Sequence, residues 1–191
     1  RGRNQTQEGM SVEHRSGFVT IAGAPNVGKS TFLNRVLGEK IAITSQKPQT
    51  TRNRVTGILT RPEVQLVFVD TPGIHAARSR LNRNLVRIAL QAIAETDAVL
   101  LMTDTYREAR AQIEPAIEAL ARQPKPVVLA INKIDLIPKL ELLPLIDHYQ
   151  RLMEFAAIVP ISALHGQGVE EVVSALARLL LQNPDLLLLD E

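Results

Sequence analysis

Short apolar runs separated by amphipathic stretches dominate the chain and predict buried strands that alternate with helices. Runs of about four to eight apolar residues bounded by turn signals are typical of strands buried on both faces. Such strands are predicted near 17–23, 55–60, 64–70, 98–103, 126–131 and 157–162. Apolar residues at helical spacing predict helices near 29–38, 80–95, 110–122, 141–154 and 169–182. The alternation predicts an α/β fold of three layers, a mostly parallel sheet with helices on both faces.

The second and third predicted strands are an exception to the parallel pattern. Only Thr60-Arg61-Pro62-Glu63 joins them, whereas parallel neighbours need a crossover of about a dozen residues or more. This pair is therefore predicted to be antiparallel, with one antiparallel strand at the edge of the sheet. The other strands end at a common edge, where open α/β sheets bind their ligands.

The most informative polar segment follows the first predicted strand. Residues 23–30 read G-A-P-N-V-G-K-S, which fits the P-loop pattern G-x-x-x-x-G-K-[ST] between a strand and a helix. Successive backbone N–H groups of such a loop bind phosphate oxygens. Lys29 can reach the β- and γ-phosphates, and the Ser30 hydroxyl can ligate Mg²⁺. The predicted phosphate-binding residues are Gly23, Ala24, Pro25, Asn26, Val27, Gly28, Lys29, Ser30 and Thr31.

Asn132-Lys133-Ile134-Asp135 follows the apolar run 127–131 and indicates which base is bound. The Asp135 carboxylate can accept hydrogen bonds from the ring N–H and the exocyclic amine of guanine. Adenine lacks these donors and would leave a buried acceptor unpaired. Asn132 and the aliphatic stem of Lys133 would complete the pocket. A polar turn is the competing interpretation, but the position after a P-loop and at a strand end favours guanine.

Asp70-Thr71-Pro72-Gly73 follows the strand predicted at 64–70. A D-x-x-G sequence at a strand end suits a Walker-B role, in which Asp70 holds Mg²⁺ through water and the Gly73 N–H faces the γ-phosphate. We assign Thr71 and Pro72 to the same nucleotide contact. An ordinary Asp/Pro/Gly turn is the alternative interpretation.

Two weaker segments complete the set. Thr51, with Thr50 as the alternative, is predicted to complete the Mg²⁺ shell when a γ-phosphate is bound. Ser162-Ala163-Leu164 follows the last predicted strand, and a backbone N–H there can reach the guanine carbonyl. For Thr50 and Thr51 the alternative is a solvated loop threonine, and Ser162-Ala163-Leu164 is uninformative outside its order in the chain.

Together, these five elements resemble the Era family of bacterial GTPases over roughly residues 16–180. The most specific part is the run at 40–52, K-I-A-I-T-S-Q-K-P-Q-T-T-R, since the related EngA and TrmE proteins usually differ there. The resemblance implies a Ras-like P-loop domain that hydrolyses GTP. It also implies a role in maturation of the small ribosomal subunit, with a C-terminal KH domain that binds the 3′ end of its RNA. A domain of an EngA- or TrmE-like protein is the alternative.

The residue after D-T-P-G is Ile74, where Ras-type proteins place a glutamine that orients the attacking water. Several proteins that it resembles use K⁺, where others use an arginine finger, to neutralise the charge that builds between the β- and γ-phosphates, and the hypothesis is that this chain uses K⁺. Asn26, at the position of the family's K⁺ ligand, would bind it with carbonyls of the 40–50 loop. The alternative is that Asn26 only shapes the loop. The predicted catalytic residues are Lys29, Thr51, Gly73 and Asn26, and the predicted metal ligands are Ser30, Thr51 and Asp70.

The chain is predicted to divide into a flexible arm at 1–15, a GTP-binding domain at 16–182 and, at 183–191, a tail or the start of a truncated linker. No KH signature and no G-x-x-G loop of the RNA-clamping type follow residue 180. RNA binding is therefore expected to need a domain missing from this chain. A GTP- or GDP-binding regulatory module with little turnover is the alternative function.

Composition excludes several classes of protein. With 191 residues, 45% of them hydrophobic, the chain suits one domain with a proper core. The absence of cysteine excludes disulfides and thiolate-bound zinc. Aromatic residues are only 3%, which leaves few platforms for stacking nucleic-acid bases. A cytoplasmic monomer is expected, with peripheral attachment at the inner membrane face as an alternative by family resemblance; the net charge of +2 selects no partner.

Overall fold

The computed structural model describes residues 15–38, 54–70, 90 and 96–182, with the backbone alone at 54, 55 and 70. Six strands in this part of the chain form one sheet. They are β1 (Arg15–Gly23), β2 (Arg54–Thr60), β3 (Val64–Asp70), β4 (Ala98–Asp104), β5 (Val127–Asn132) and β6 (Ala157–Pro160). Their order is β2-β3-β1-β4-β5-β6, with β2 antiparallel to β3 and every other pair parallel. The predicted fold class is confirmed.

The described residues form four α-helices and one short 3₁₀ turn. The helices are α1 (Lys29–Leu37), α2 (Arg107–Leu120), α3 (Lys139–Gln150) and α4 (Val169–Gln182), and the turn is Ile134–Leu136. The predicted bounds of α2 and α3 were wrong by a few residues. Both helices begin earlier than predicted, directly after an extended N-cap residue, Tyr106 or Pro138. The helix predicted at 80–95 lies outside the described residues except at residue 90.

Two apolar clusters hold the helices against opposite faces of the sheet. Phe32 of α1 and Leu176 of α4 pack with Leu66 and Leu100 on one face. On the other face, Ile117 of α2 packs in a second cluster with Leu101 and Leu129 of the sheet and with Leu145 and Tyr149 of α3. Packing of the helices on both faces fixes the positions of the strands, and the loops after the parallel strands β1, β4, β5 and β6 lie at one edge of the sheet.

No helix in the described ranges combines the length and the apolar character that a membrane span requires.

Candidate functional site

The loop from β1 to α1 has the backbone shape of an anion-binding turn. Asn26 (φ 64°) and Gly28 (φ 99°) both adopt the left-handed conformation. Gly28 is the N-cap of α1 and has no side chain that could cap the helix. The first-turn N–H groups therefore point out of the helix, where its dipole favours a negative charge.

Lys29 folds back across this loop. Its Nζ donates hydrogen bonds to the carbonyls of Gly23 and Ala24, each at 2.8 Å. Ser30, one residue further, is exposed in the first turn of α1. A lysine ammonium and a hydroxyl oxygen thus lie together at the phosphate loop, which fits a phosphate with an accompanying hard cation such as Mg²⁺.

Asn132 joins the phosphate loop to the segment that follows β6. It ends β5 and is only 4% exposed. Its Nδ2 donates to the carbonyl of Val27 at 2.7 Å, and its Oδ1 accepts the Ala163 N–H at 2.9 Å. The amide predicted to line the base pocket thus also connects two loops that are distant in sequence.

Asp135 lies in the 3₁₀ turn beside the segment after β6. A hydrogen bond from the Ser162 hydroxyl lowers the pKa of the Asp135 carboxyl, against a smaller opposing effect of burial. His165 approaches the carboxylate, with its Nε2 3.9 Å from Oδ2. Asp135 is therefore an ionised acceptor at neutral pH, as recognition of a paired N–H and amine requires.

The segment after β6 is held in place at both ends. Ser162 and Ala163 are 1% exposed, whereas the Leu164 side chain faces solvent at 63%. The Ser162 N–H donates to the carbonyl of Gln167 at 2.9 Å and closes the loop. The contact predicted for this segment uses a backbone N–H and does not require the Leu164 side chain.

Lys133 leads to a residue that the sequence reasoning missed. Its Nζ lies 2.6 Å from Oδ2 of Asp104, the last residue of β4, and 5.1 Å from the centre of the Tyr106 ring. The available signal was an acidic residue at a strand end on the edge that carries the other motifs.

Arg35 of α1 is a second residue that sequence reasoning missed. Its guanidinium donates to the carbonyls of Ala163, at 3.4 Å, and Leu164. It therefore ties the helix of the phosphate loop to the segment after β6. Nothing in the sequence pattern indicated this contact, because the partners are 128 and 129 residues away.

The predicted site residues meet at one edge of the sheet wherever the structure describes them. Residues 23–31, 132–135 and 162–164 are brought together by β1, β5 and β6. Asp70 ends β3, directly beside β1, with its backbone alone described. The predictions for Thr51, Thr71, Pro72 and Gly73 lie outside the described residues.

Substitution of Gly28 by alanine is expected to destabilise the domain by about 3 kcal/mol. The left-handed backbone costs a residue with a Cβ roughly 1–2 kcal/mol. The new Cβ would also lie 2.1 Å from Asn132 Nδ2 and displace that amide from its buried partners, at about 1–3 kcal/mol. Urea unfolding of the purified variant measures the loss.

Gly166→Ala is the matched control for this prediction. Gly166 also has a positive φ, 78°, but the atoms nearest to a Cβ there are Arg35 side-chain atoms at 3.6–3.7 Å, an ordinary contact distance. Only the backbone cost of about 1–2 kcal/mol is expected. Equal losses in the two variants would contradict the role given to the Gly28–Asn132 contact.

Comparison with known proteins identifies the family to which the chain belongs. Residues 18–133 match the family described as 50S ribosome-binding GTPase. The GTPase Era of Geobacter metallireducens is 53% identical over 170 residues, which cover 89% of this chain and 57% of that protein. The chain thus spans little more than half the length of this curated relative. The predicted resemblance to the Era GTPases is confirmed.

Two solved structures of Era share the fold. Era in complex with MgGDPNP and nucleotides 1506–1542 of 16S ribosomal RNA is 39% identical, with a TM-score of 0.66, over 91% of this chain and 60% of that one. An Era variant from Aquifex aeolicus bound to GDP·AlF4⁻ is 38% identical, with a TM-score of 0.64, over 93% and 62%.

Proposed function

We propose that this chain, which belongs to the family described as 50S ribosome-binding GTPases, is the GTP-binding and GTP-hydrolysing part of an Era-type switch protein. One observation carries the proposal. Asn132 bonds both Val27 of the phosphate loop and Ala163 of the loop after β6, so the phosphate-binding and base-binding segments form one continuous site.

Guanine is the base that suits this site. The ionised Asp135 carboxylate is an acceptor for the two adjacent donors of guanine, and the Ser162 hydroxyl orients it. The N–H groups of Ser162 and Ala163 already have acceptors within the protein, so the Leu164 N–H is the proposed donor to the guanine carbonyl. Adenine would place an amine against this N–H and offers no donor pair for Asp135, so its binding would leave polar groups unpaired.

At the phosphate end, Lys29 and the first-turn N–H groups of α1 would bind the β- and γ-phosphates. Ser30, Thr51 and, through water, Asp70 would hold Mg²⁺, which supplies positive charge to the phosphate oxygens when bound. The Gly73 N–H would contact the γ-phosphate.

Hydrolysis of GTP tests the proposal directly. The purified chain is expected to release phosphate from GTP with Mg²⁺ and not from ATP. We further propose that K⁺ stimulates this reaction, so that turnover in KCl exceeds turnover in NaCl several-fold. GTP binding without turnover in either salt would contradict the enzyme and favour the alternative, a regulatory module that holds the nucleotide.

Two variants of Asn26 test the proposed K⁺ site. Asn26→Ala is expected to remove the K⁺ stimulation and spare GDP binding, because the amide oxygen is the proposed ligand. Asn26 has a φ of 64°, so Asn26→Gly serves as the control that keeps the left-handed backbone unstrained. Stimulation that survives in the glycine variant would overturn K⁺ coordination by Asn26.

The proposed partner is small-subunit ribosomal RNA. An Era that is 39% identical to this chain forms a complex with nucleotides 1506–1542 of 16S ribosomal RNA, and this chain covers 60% of that protein. We propose that the RNA contact lies in the part of such proteins that this chain does not span. A cytoplasmic, monomeric protein is proposed as well, with peripheral attachment to the inner membrane face as the alternative.

A further inference from the structure

We propose that Asp104 is a positioning residue of the guanine pocket, because it holds the Lys133 side chain in place before the nucleotide arrives. The inference rests on the proposed function, since it concerns the same pocket. Asp104 lies outside the sequence motifs for phosphate, metal and base, and its effect on the nucleotide passes through Lys133.

The register of the sheet places Asp104 next to the base-recognition segment. Asp104 ends β4 and is paired with Asn132 at the end of β5. Its Oδ2 lies 2.6 Å from Lys133 Nζ, and its Oδ1 accepts the Tyr106 N–H at 3.0 Å. Both carboxylate oxygens thus have a partner.

Burial makes this ion pair different from those on the surface. The Asp104 side chain is 5% exposed and that of Lys133 is 27% exposed, so the pair is poorly screened by solvent. In contrast, Asp147 of α3 and Arg151, the residue that caps the C-terminus of this helix, form a pair with side chains 58% and 77% exposed. A buried carboxylate that loses its cation is strongly unfavourable, and Asp104 therefore retains the Lys133 ammonium.

Further contacts also hold Lys133 in place. Lys133 has a left-handed backbone with φ 65°, which other contacts must maintain. The Thr105 hydroxyl donates to its carbonyl at 3.4 Å, and the Tyr106 ring lies 5.1 Å from its ammonium. The loop after β4 thus holds both the backbone and the side chain of the lysine.

A fixed lysine favours binding by preorganisation. A free lysine side chain samples many rotamers, and ordering it on nucleotide binding would cost entropy. With Nζ anchored at Asp104, the aliphatic stem is already in place to form a wall of the base pocket. Loss of the anchor should therefore weaken guanine nucleotides without altering which base is preferred.

A double-mutant cycle on GDP affinity tests the coupling. Asp104→Asn retains an acceptor for the Tyr106 N–H and removes the charge. It is expected to weaken GDP binding about tenfold, the scale of one charge-assisted hydrogen bond. In a Lys133→Met background the same change is expected to have less than about a twofold effect. Independent effects that multiply in the double variant would overturn the proposal.

Base preference separates positioning from general damage to the pocket. Asp104→Asn is expected to keep the wild-type ratio of GDP to IDP affinity, because Asp135 reads the exocyclic amine that IDP lacks. Asp147→Asn, which removes an exposed ion pair on α3, is the matched control and should leave both affinities unchanged. A collapsed GDP-to-IDP ratio in Asp104→Asn would contradict a role confined to Lys133.

A measurement on the wild-type chain covers the case in which a variant does not fold. The Lys133 ammonium is expected to give a ¹⁵N NMR signal protected from solvent exchange without nucleotide. A freely exchanging ammonium would contradict the anchor. If the wild-type chain shows this signal but binds no GDP, the proposed function fails together with this inference; if it binds GDP and the cycle is additive, this inference fails alone.

Discussion

Asp135→Asn is expected to weaken GDP binding about 100-fold and to remove the preference for GDP over IDP. The carboxylate would accept two charge-assisted hydrogen bonds from guanine, each worth about 1.5–3 kcal/mol. An asparagine side chain keeps one acceptor oxygen, but its amide NH₂ group, a donor, would face one of the two donors of the base. A net loss of roughly 3 kcal/mol corresponds to the 100-fold change. Titration of the purified variant with GDP and with IDP measures both effects.

The Asp135 prediction has a control on the neighbouring helix. Glu141→Gln removes an exposed carboxylate from the first turn of α3 and should leave the GDP affinity unchanged. GDP affinity of Asp135→Asn within about threefold of the wild type, less than 1 kcal/mol, would exclude Asp135 as the guanine acceptor.

The pH dependence of GDP binding follows from the same carboxylate. The Ser162 hydrogen bond lowers the pKa of Asp135 from its ordinary value of 3.8. The ionised acceptor is therefore present throughout the neutral and mildly acidic range, and is lost only as the pH falls through the lowered pKa. The difference in GDP affinity between the wild type and Asp135→Asn, measured by titration, is therefore expected to be constant between about pH 6 and 8.

Asn132→Ala is expected to lower the free energy of unfolding by about 3 kcal/mol. The Asn132 amide is 4% exposed, and its removal leaves the Val27 carbonyl and the Ala163 N–H without this partner. Each buried group left unpaired costs about 1–3 kcal/mol. For a domain of this size, each kcal/mol lowers the melting temperature by about 2–4 °C, so a decrease of about 10 °C is expected by calorimetry without nucleotide.

Asn34→Ala is the matched control for the Asn132 variant. Asn34 is exposed on α1, and its replacement should change stability by less than about 0.5 kcal/mol. If the two variants melt at the same temperature, Asn132 does not connect the two loops as described.

Local sequence predicted the fold and most of the described site because both depend on residues close together in the chain. The apolar runs at 64–70 and 98–103 have the length typical of strands buried in a layered sheet, and the structure places them there. The P-loop and the segment at 132–135 are each defined by the backbone at one strand end. Parallel strands necessarily bring such segments to one edge.

The missed features depend on side chains that meet across the sheet. The contact between Asp104 and Lys133 depends on the pairing of β4 with β5, which places Asp104 beside the strand that leads to Lys133. Arg35 finds its carbonyl partners across 128 and 129 residues of sequence. Neither motif spacing nor hydrophobic period carries information about such contacts. The early start of α3 was missed because Pro138 directly precedes it as an N-cap.

The central claim is that three separate segments form one guanine nucleotide site, and hydrogen exchange with bound GDP tests it most directly. In one titration, GDP is expected to protect the backbone amides of 24–31 together with those of 132–135 and 162–164, while ADP at the same concentration protects none of them. Protection confined to 24–31, or equal protection by GDP and ADP, would contradict the claim.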